Sequence, residues 1–167
     1  MNPNNNNLLL IGMSGAGKST LGVLLAKALG KQFVDTDLII QQKTGKLLQQ
    51  IIDTEGVQHF LQIEEALLSS LEFQNTVIAT GGSVVYSEKA MQALRKNATV
   101  IYLSVEFDEL EKRLTNITTR GIVFKEKSDL RSVFEERLPL YEHYADKIVS
   151  CTGADIETSV GRILALL

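Results

Sequence analysis

Along this chain, short runs of consecutive apolar residues alternate with longer segments of helical periodicity. The apolar runs predict strands over Leu8–Gly12, Phe33–Asp35, Thr76–Ala79, Thr99–Ser104 and Lys147–Ser150. The periodic segments predict helices near Lys18–Gly30, Asp37–Thr44, Leu47–Thr54, Val57–Phe73, Ser87–Lys96, Phe107–Thr118, Lys127–Ala145 and Asp155–Leu167. In the first of these, Leu21, Leu24, Leu25, Ala28 and Leu29 mark one apolar face. Strands that are apolar throughout, each followed by a helix, belong to a parallel sheet covered on both faces. The expected fold is α/β: three layers, α/β/α, around a five-stranded parallel sheet. Ligands of such sheets bind beyond the carboxyl ends of the strands. Three polar, glycine-bearing or acidic clusters fall there: Gly12–Ser19, Asp35-Thr36-Asp37 and Thr80-Gly81-Gly82-Ser83.

Two segments break the alternation. Residues 1–7 include Asn2-Pro3-Asn4-Asn5-Asn6-Asn7, which has nothing to bury and predicts a frayed tail, leaving 8–167 as a single domain. Leu114–Lys127 is polar, β-branched and interrupted by Gly121. Such a stretch is either a surface loop or a lid that closes over a bound substrate and excludes water. The phosphate-binding motif described next favours the lid, over about 114–127.

Composition narrows the classes. The 167 residues are 44% hydrophobic and 22% charged, enough for one domain with its own core. A net charge of −3 does not indicate a nucleic-acid-binding surface. No apolar run approaches the roughly 20 residues of a membrane span, and no leader pattern opens the chain. Cys151 is the single cysteine. An internal disulfide is therefore impossible, and a reducing, cytoplasmic setting is expected, with Cys151 as a packing residue. A monomer is the expectation for a domain of this size.

Gly12-Met13-Ser14-Gly15-Ala16-Gly17-Lys18-Ser19-Thr20 spells G-x-x-x-x-G-K-S-T between a predicted strand and a predicted helix, which is the context of a phosphate-binding loop. Its glycines let backbone N–H groups turn toward an anion, and the helix that follows adds the positive end of its dipole. Gly12, Ser14, Gly15, Ala16, Gly17, Lys18, Ser19 and Thr20 are thus expected to hold ATP. Lys18 would reach the β- and γ-phosphates and Ser19 would sit on Mg2+. Phosphoryl transfer further requires cations near the phosphates and a carboxylate near the attacking hydroxyl. Asp35 and Asp37 offer carboxylates, although an aspartate there also suits a helix N-cap. Gly81 and Gly82 allow close backbone approach to a ligand, or simply make a tight turn. Arg113, Arg120 and Arg137 are the candidate cations, and Arg120 in the expected lid is best placed for the transferring charge. Arg137 has Glu135 and Glu136 beside it, the usual setting of a solvated arginine. His59 and His143 have no supporting ligand set.

Taken in order, these motifs resemble the shikimate kinase family of P-loop, nucleoside-monophosphate-kinase-like enzymes. The resemblance runs from Leu8 onward. It rests on Gly12–Thr20, Phe33-Val34-Asp35-Thr36-Asp37, Thr44-Gly45, Glu55-Gly56 with Phe60 and Glu64, Thr80-Gly81-Gly82, Arg113 seven residues before Arg120, and Arg137-Leu138-Pro139-Leu140-Tyr141. It implies transfer of the γ-phosphate of ATP to the 3-hydroxyl of shikimate. By resemblance Asp35 supports Mg2+ and Asp37 binds the acceptor hydroxyls and can take a proton. Gly82 offers a backbone N–H, Arg120 meets the phosphates, Arg113 lies against adenine and Arg137 pairs with the acceptor carboxylate. The acceptor-binding helices would lie over about 37–73.

The departures from the family pattern gather on the acceptor side. Leu61 stands where the family carries a second carboxylate-binding arginine. Ile52 replaces a phenylalanine of the same pocket, Ser83 the third glycine of a triplet, Val57 an acidic residue, and Gly121-Ile122-Val123 a Pro-Leu-Leu sequence. Loss of a charge-assisted bond to a carboxylate costs on the order of 1.5–3 kcal/mol. A kinase of the same fold for a different small alcohol is therefore the alternative expectation, and a nucleotide-binding protein without transferase activity a third.

Overall fold

The computed structural model describes residues 6–115 and 129–167. Five strands form one all-parallel sheet: β1 (Asn7–Ile11), β2 (Gln32–Asp35), β3 (Thr76–Ala79), β4 (Ala98–Ser104) and β5 (Lys147–Ser150). Their order is β2-β3-β1-β4-β5. Each lies within one residue of the run that predicts it. The central strand β1 has Leu8 level with Val77 of β3 on one side and Thr99 of β4 on the other. All five of its residues are buried, which is why it reads as a continuous apolar run.

Among the described residues, eight α-helices complete the α/β architecture: α1 (Lys18–Leu29), α2 (Thr36–Thr44), α3 (Leu48–Glu55), α4 (Val57–Leu68), α5 (Glu88–Arg95), α6 (Phe107–Thr115), α7 (Leu130–Tyr144) and α8 (Ile156–Leu166). α1 packs on β2, β3 and α8, whereas α5 and α7 pack on β4 and α4 packs on α5. Strand order and right-handed crossovers put these two groups on opposite faces.

Three boundaries differ from expectation. Asn7, assigned to the tail by its sequence, belongs to β1: its side chain accepts from the Thr76 N–H at 2.9 Å and donates to the Phe73 carbonyl at 2.7 Å. Buried and satisfied at both ends, it ties the strand to the β3 edge. α4 ends at Leu68 rather than Phe73, because Ser69 and Ser70 follow and the Ser70 hydroxyl takes the Leu67 carbonyl at 2.7 Å. Leu71 and Phe73 still pack on the core, which prolongs the apolar periodicity past the helix end. α7 starts at Leu130, where the Asp129 side chain caps the Ser132 N–H at 2.7 Å.

The apolar interior has two parts. The larger surrounds β1, β3 and β4. A smaller cluster of Ile40, Leu48, Ile51 and Phe60 joins α2, α3 and α4, with Ile52, Val57 and Leu61 partly buried against it. The acceptor-side helices expected over 37–73 thus carry a core of their own.

Candidate active site

The loop after β1 is built on backbone conformations that side chains resist. Gly12 has φ 140°, and a Cβ there would lie 2.8 Å from the Leu103 carbonyl oxygen. Gly17, at φ 96°, precedes the first helical residue, Lys18. Lys18 is only 7% exposed, and its ammonium donates to the carbonyls of Gly12 at 2.7 Å and Met13 at 2.8 Å. A cation is thereby held inside the loop at the N-terminus of α1, where an anion is already favoured.

A cleft of about 310 Å³ opens beyond the strand ends. Its lining includes Ser14, Gly15, Gly17, Lys18 and Ser19 from this loop, Asp35 and Asp37 from the β2–α2 junction, and Thr80, Gly81, Gly82 and Ser83 after β3. Arg137 of α7 closes the far wall. Of the other loop residues, Gly12 forms the turn, Ala16 is buried and Thr20 faces outward.

Asp35 does both things its sequence allows. One oxygen accepts from the Asp37 N–H at 3.0 Å and caps α2, while the residue lines the cleft. Gly81 and Gly82 have no left-handed backbone; the need for glycine is closeness. A Cβ on Gly81 would lie 2.7 Å from Asp37 Oδ1, and one on Gly82 would lie 3.1 Å from Arg137 Nη1 and 3.3 Å from Ser14 N. Any side chain at 82 would wedge the phosphate loop away from Arg137.

Arg137 is not the solvated arginine its neighbours suggest. It is 1% exposed, whereas Glu135 and Glu136 point to solvent. Its Nε donates to the Tyr86 hydroxyl at 3.1 Å, and its guanidinium lies 5.0 Å from the centre of the Tyr86 ring. Pro139 two residues later cannot donate to the Glu135 carbonyl, but Glu135 is exposed and water can take that place. The Tyr141 hydroxyl donates to the Gly82 carbonyl at 2.7 Å, fixing the glycine segment to α7. Burial pushes that hydroxyl's pKa upward.

Arg113 bridges the phosphate loop and the β5–α8 connection, donating to the carbonyls of Gly15 and Cys151, both at 3.3 Å, and pairing with Glu109. Cys151 itself is buried, and burial raises its thiol pKa, as suits a packing residue. His59 pairs with Glu55 on the surface and His143 packs on Tyr144.

Beyond the phosphate loop, Leu61, Ile52 and Arg113 were expected at the site but do not line the cleft. Leu61 packs with the smaller core and is not among the lining side chains, and Ile52 does the same. Arg120, with nearly all of the lid expected over 114–127, lies outside the described residues. One motif residue without an expected role lies against the cleft segment after β3. Glu64 is 1% exposed, its Oε2 accepts from the Ser83 hydroxyl at 2.8 Å, and burial, opposed by Ser83 and Arg137 but reinforced by Asp37, pushes its pKa up to about 7. The signal was available: Phe60, Glu64 and Leu68 are spaced i, i+4, i+8, which places a carboxylate on the apolar face of a helix.

A parallel α/β sheet with this loop, a lysine in it and two carboxylates across one cleft defines a P-loop kinase. A family model described as shikimate kinase matches residues 14–167. A shikimate kinase from Chromobacterium violaceum is 36% identical over 161 residues, covering 95% of this chain and 88% of its own. One from Francisella tularensis subsp. holarctica is 35% identical, with 96% and 94% covered. Among solved structures, shikimate kinase from Acinetobacter baumannii in complex with shikimate superposes with a TM-score of 0.86 at 30% identity, covering 96% of this chain and 91% of that one. The chain belongs to the shikimate kinase family. A gluconokinase from Sinorhizobium meliloti, 18% identical with a TM-score of 0.54, shares the fold alone. The alternative of a different alcohol acceptor is accordingly not favoured, nor is a protein without transferase activity. Among the described residues no helix is long and apolar enough to cross a membrane.

Proposed function

We propose that this chain transfers the γ-phosphate of ATP to the 3-hydroxyl of shikimate. The observation that carries the reading is a single cleft in which the phosphate loop faces both a carboxylate, Asp37, and a buried guanidinium, Arg137. An acceptor bearing hydroxyls at one end and a carboxylate at the other matches that polarity. Family membership and the shikimate-bound neighbour support the same acceptor.

On this reading the loop amides and Lys18 hold the triphosphate, and Arg113 lies at the base end. Arg137 takes the acceptor carboxylate, while Asp37 and the Gly82 N–H orient the hydroxyls. The acceptor oxygen attacks the γ-phosphorus and its proton passes to Asp37. The bond to the β-bridging oxygen breaks, and ADP leaves with that electron pair. Arg120 is assigned to the phosphates by its place in the expected lid and by the family resemblance.

The residues present also fit Mg2+. The Ser19 hydroxyl and the Asp35 carboxylate line the cleft beside the phosphate loop, and an ion held mainly through substrate phosphates needs no larger protein cage. These two would hold the ion, which when bound neutralises charge on the β- and γ-phosphates. We place the enzyme in the cytoplasm, where a lone cysteine stays reduced, and as a monomer, the expectation for a domain of this size.

The test is ADP release measured over shikimate, quinate, gluconate and other small polyols. Saturable stimulation by shikimate is expected; turnover on another alcohol with none on shikimate would sink the reading. In the same assay Leu61→Arg, restoring the family's second arginine, is expected to lower the shikimate KM roughly tenfold or more. An unchanged KM would mean that the carboxylate does not lie near α4.

A further inference from the structure

Glu64 and Ser83 form a pair that the reaction above does not use. Glu64 sits on the buried face of α4, held through Oε2 by the Ser83 hydroxyl. Its other oxygen, Oε1, is buried and accepts no hydrogen bond among the described residues. A Cβ on Gly81 would lie 3.0 Å from this oxygen and 2.7 Å from Asp37 Oδ1, so two carboxyl groups flank one glycine on the acceptor wall. Among the described residues, the charged groups facing Glu64 are Asp37 from α2 and Arg137 from α7. The charged side chains of α3 (Asp53, Glu55) and α5 (Glu88, Lys89, Arg95) are exposed.

This arrangement puts a second anion within the field of Arg137. An ionised Glu64 shares that guanidinium's field with any incoming carboxylate; a protonated Glu64 leaves it to the ligand. Position 83 matters because a glycine there has no hydroxyl to give. Ser83 adopts φ −85°, ordinary for any residue, so the hydroxyl adds no backbone strain.

We propose that Glu64 and Ser83 are a positioning pair that sets the affinity of the acceptor site for a carboxylate: ionised Glu64 competes for the field of Arg137, protonated Glu64 releases it, and the Ser83 hydroxyl decides the pH at which the exchange occurs. The proposal rests on the reading that the acceptor carboxylate lies at Arg137. Because Glu64 titrates at about 7, the exchange falls near neutral pH. Binding of an anionic acceptor then takes up a proton, and affinity falls as pH rises through that range.

The experiment measures KM for shikimate and for ATP from about pH 6 to about pH 8 in the full chain, in Glu64→Gln and in Ser83→Ala, with calorimetric proton uptake on shikimate binding in two buffers. Wild type is expected to show a shikimate KM that rises about fivefold over this range while the ATP KM stays level. Glu64→Gln should flatten the rise and abolish proton uptake. Ser83→Ala should move the rise to higher pH, because the bond that favours the ionised carboxylate is gone. Parallel profiles in wild type and Glu64→Gln, or proton uptake that persists in that variant, would overturn the proposal. If the glutamine variant does not fold, an unshifted profile in Ser83→Ala overturns it instead. If shikimate fails to saturate at any pH, the acceptor reading falls. Infrared titration of the ligand-free chain then decides separately whether a buried carboxyl titrates near neutral pH, and its absence overturns the pair.

Discussion

At the scale of single residues, the site depends on groups held by contacts that a linear pattern does not display. Lys18 is pinned by two carbonyls of its own loop, a local arrangement that the loop motif implies. Replacing it with alanine removes the cation proposed to hold the phosphates. A loss of about 10²–10³ in kcat is expected, as for removal of other transition-state donors, with unchanged thermal unfolding as the control. Arg137 is different. Its neighbours in sequence are two glutamates, yet it bonds to Tyr86, 51 residues away. Arg137→Lys keeps a charge but loses the planar fork and the ring contact. Steady-state kinetics should show the shikimate KM raised roughly ten- to a hundredfold, with the ATP KM little changed. A comparable rise in both would place Arg137 outside the acceptor site.

At the scale of elements, α2 begins on a residue with two tasks. Asp35 caps the helix and lines the cleft, and its sequence allowed either. Substitution separates them. Asp35→Asn retains a capping oxygen and loses the charge, so unfolding by denaturant should be nearly unchanged while activity falls and requires more Mg2+. Asp35→Ala should lose about 0.5–2 kcal/mol of stability as well. The strands were legible within a residue because fully buried parallel strands admit only apolar residues. Helix ends were less legible. α4 stops at Ser69 although the apolar periodicity continues, because Leu71 and Phe73 pack on the core from a non-helical segment. Phe60 anchors the smaller core joining α2, α3 and α4. Phe60→Ala should cost about 3–5 kcal/mol in denaturant unfolding.

At the scale of the whole molecule, one buried carboxyl links stability to pH. Glu64 has its folded pKa raised to about 7 from 4.5. The native state therefore holds a proton that the unfolded chain releases between these values, so the contribution of Glu64 to stability declines as pH rises from 4.5 and is lost above about 7. The full effect is on the order of 3 kcal/mol. Chemical denaturation from about pH 5 to about pH 8 should show a decline attributable to Glu64 that Glu64→Gln removes; the same slope in both proteins would contradict it. The donor half of the site was determined by sequence alone, because a phosphate loop is a contiguous backbone device whose glycines, lysine and serine must be adjacent. The strand–helix alternation likewise fixed the sheet, since its period reflects burial. Tertiary structure decided the half proposed for the acceptor. Asp37, Gly81, Gly82, Glu64, Ser83 and Arg137 come from four separated segments, and their distances follow from the order β2-β3-β1 and from the packing of α4 on α5 and of α7 on β4. That packing also sets Leu61 against the smaller core and pairs Glu64, a residue of the family motif, with Ser83, which stands where the family has glycine.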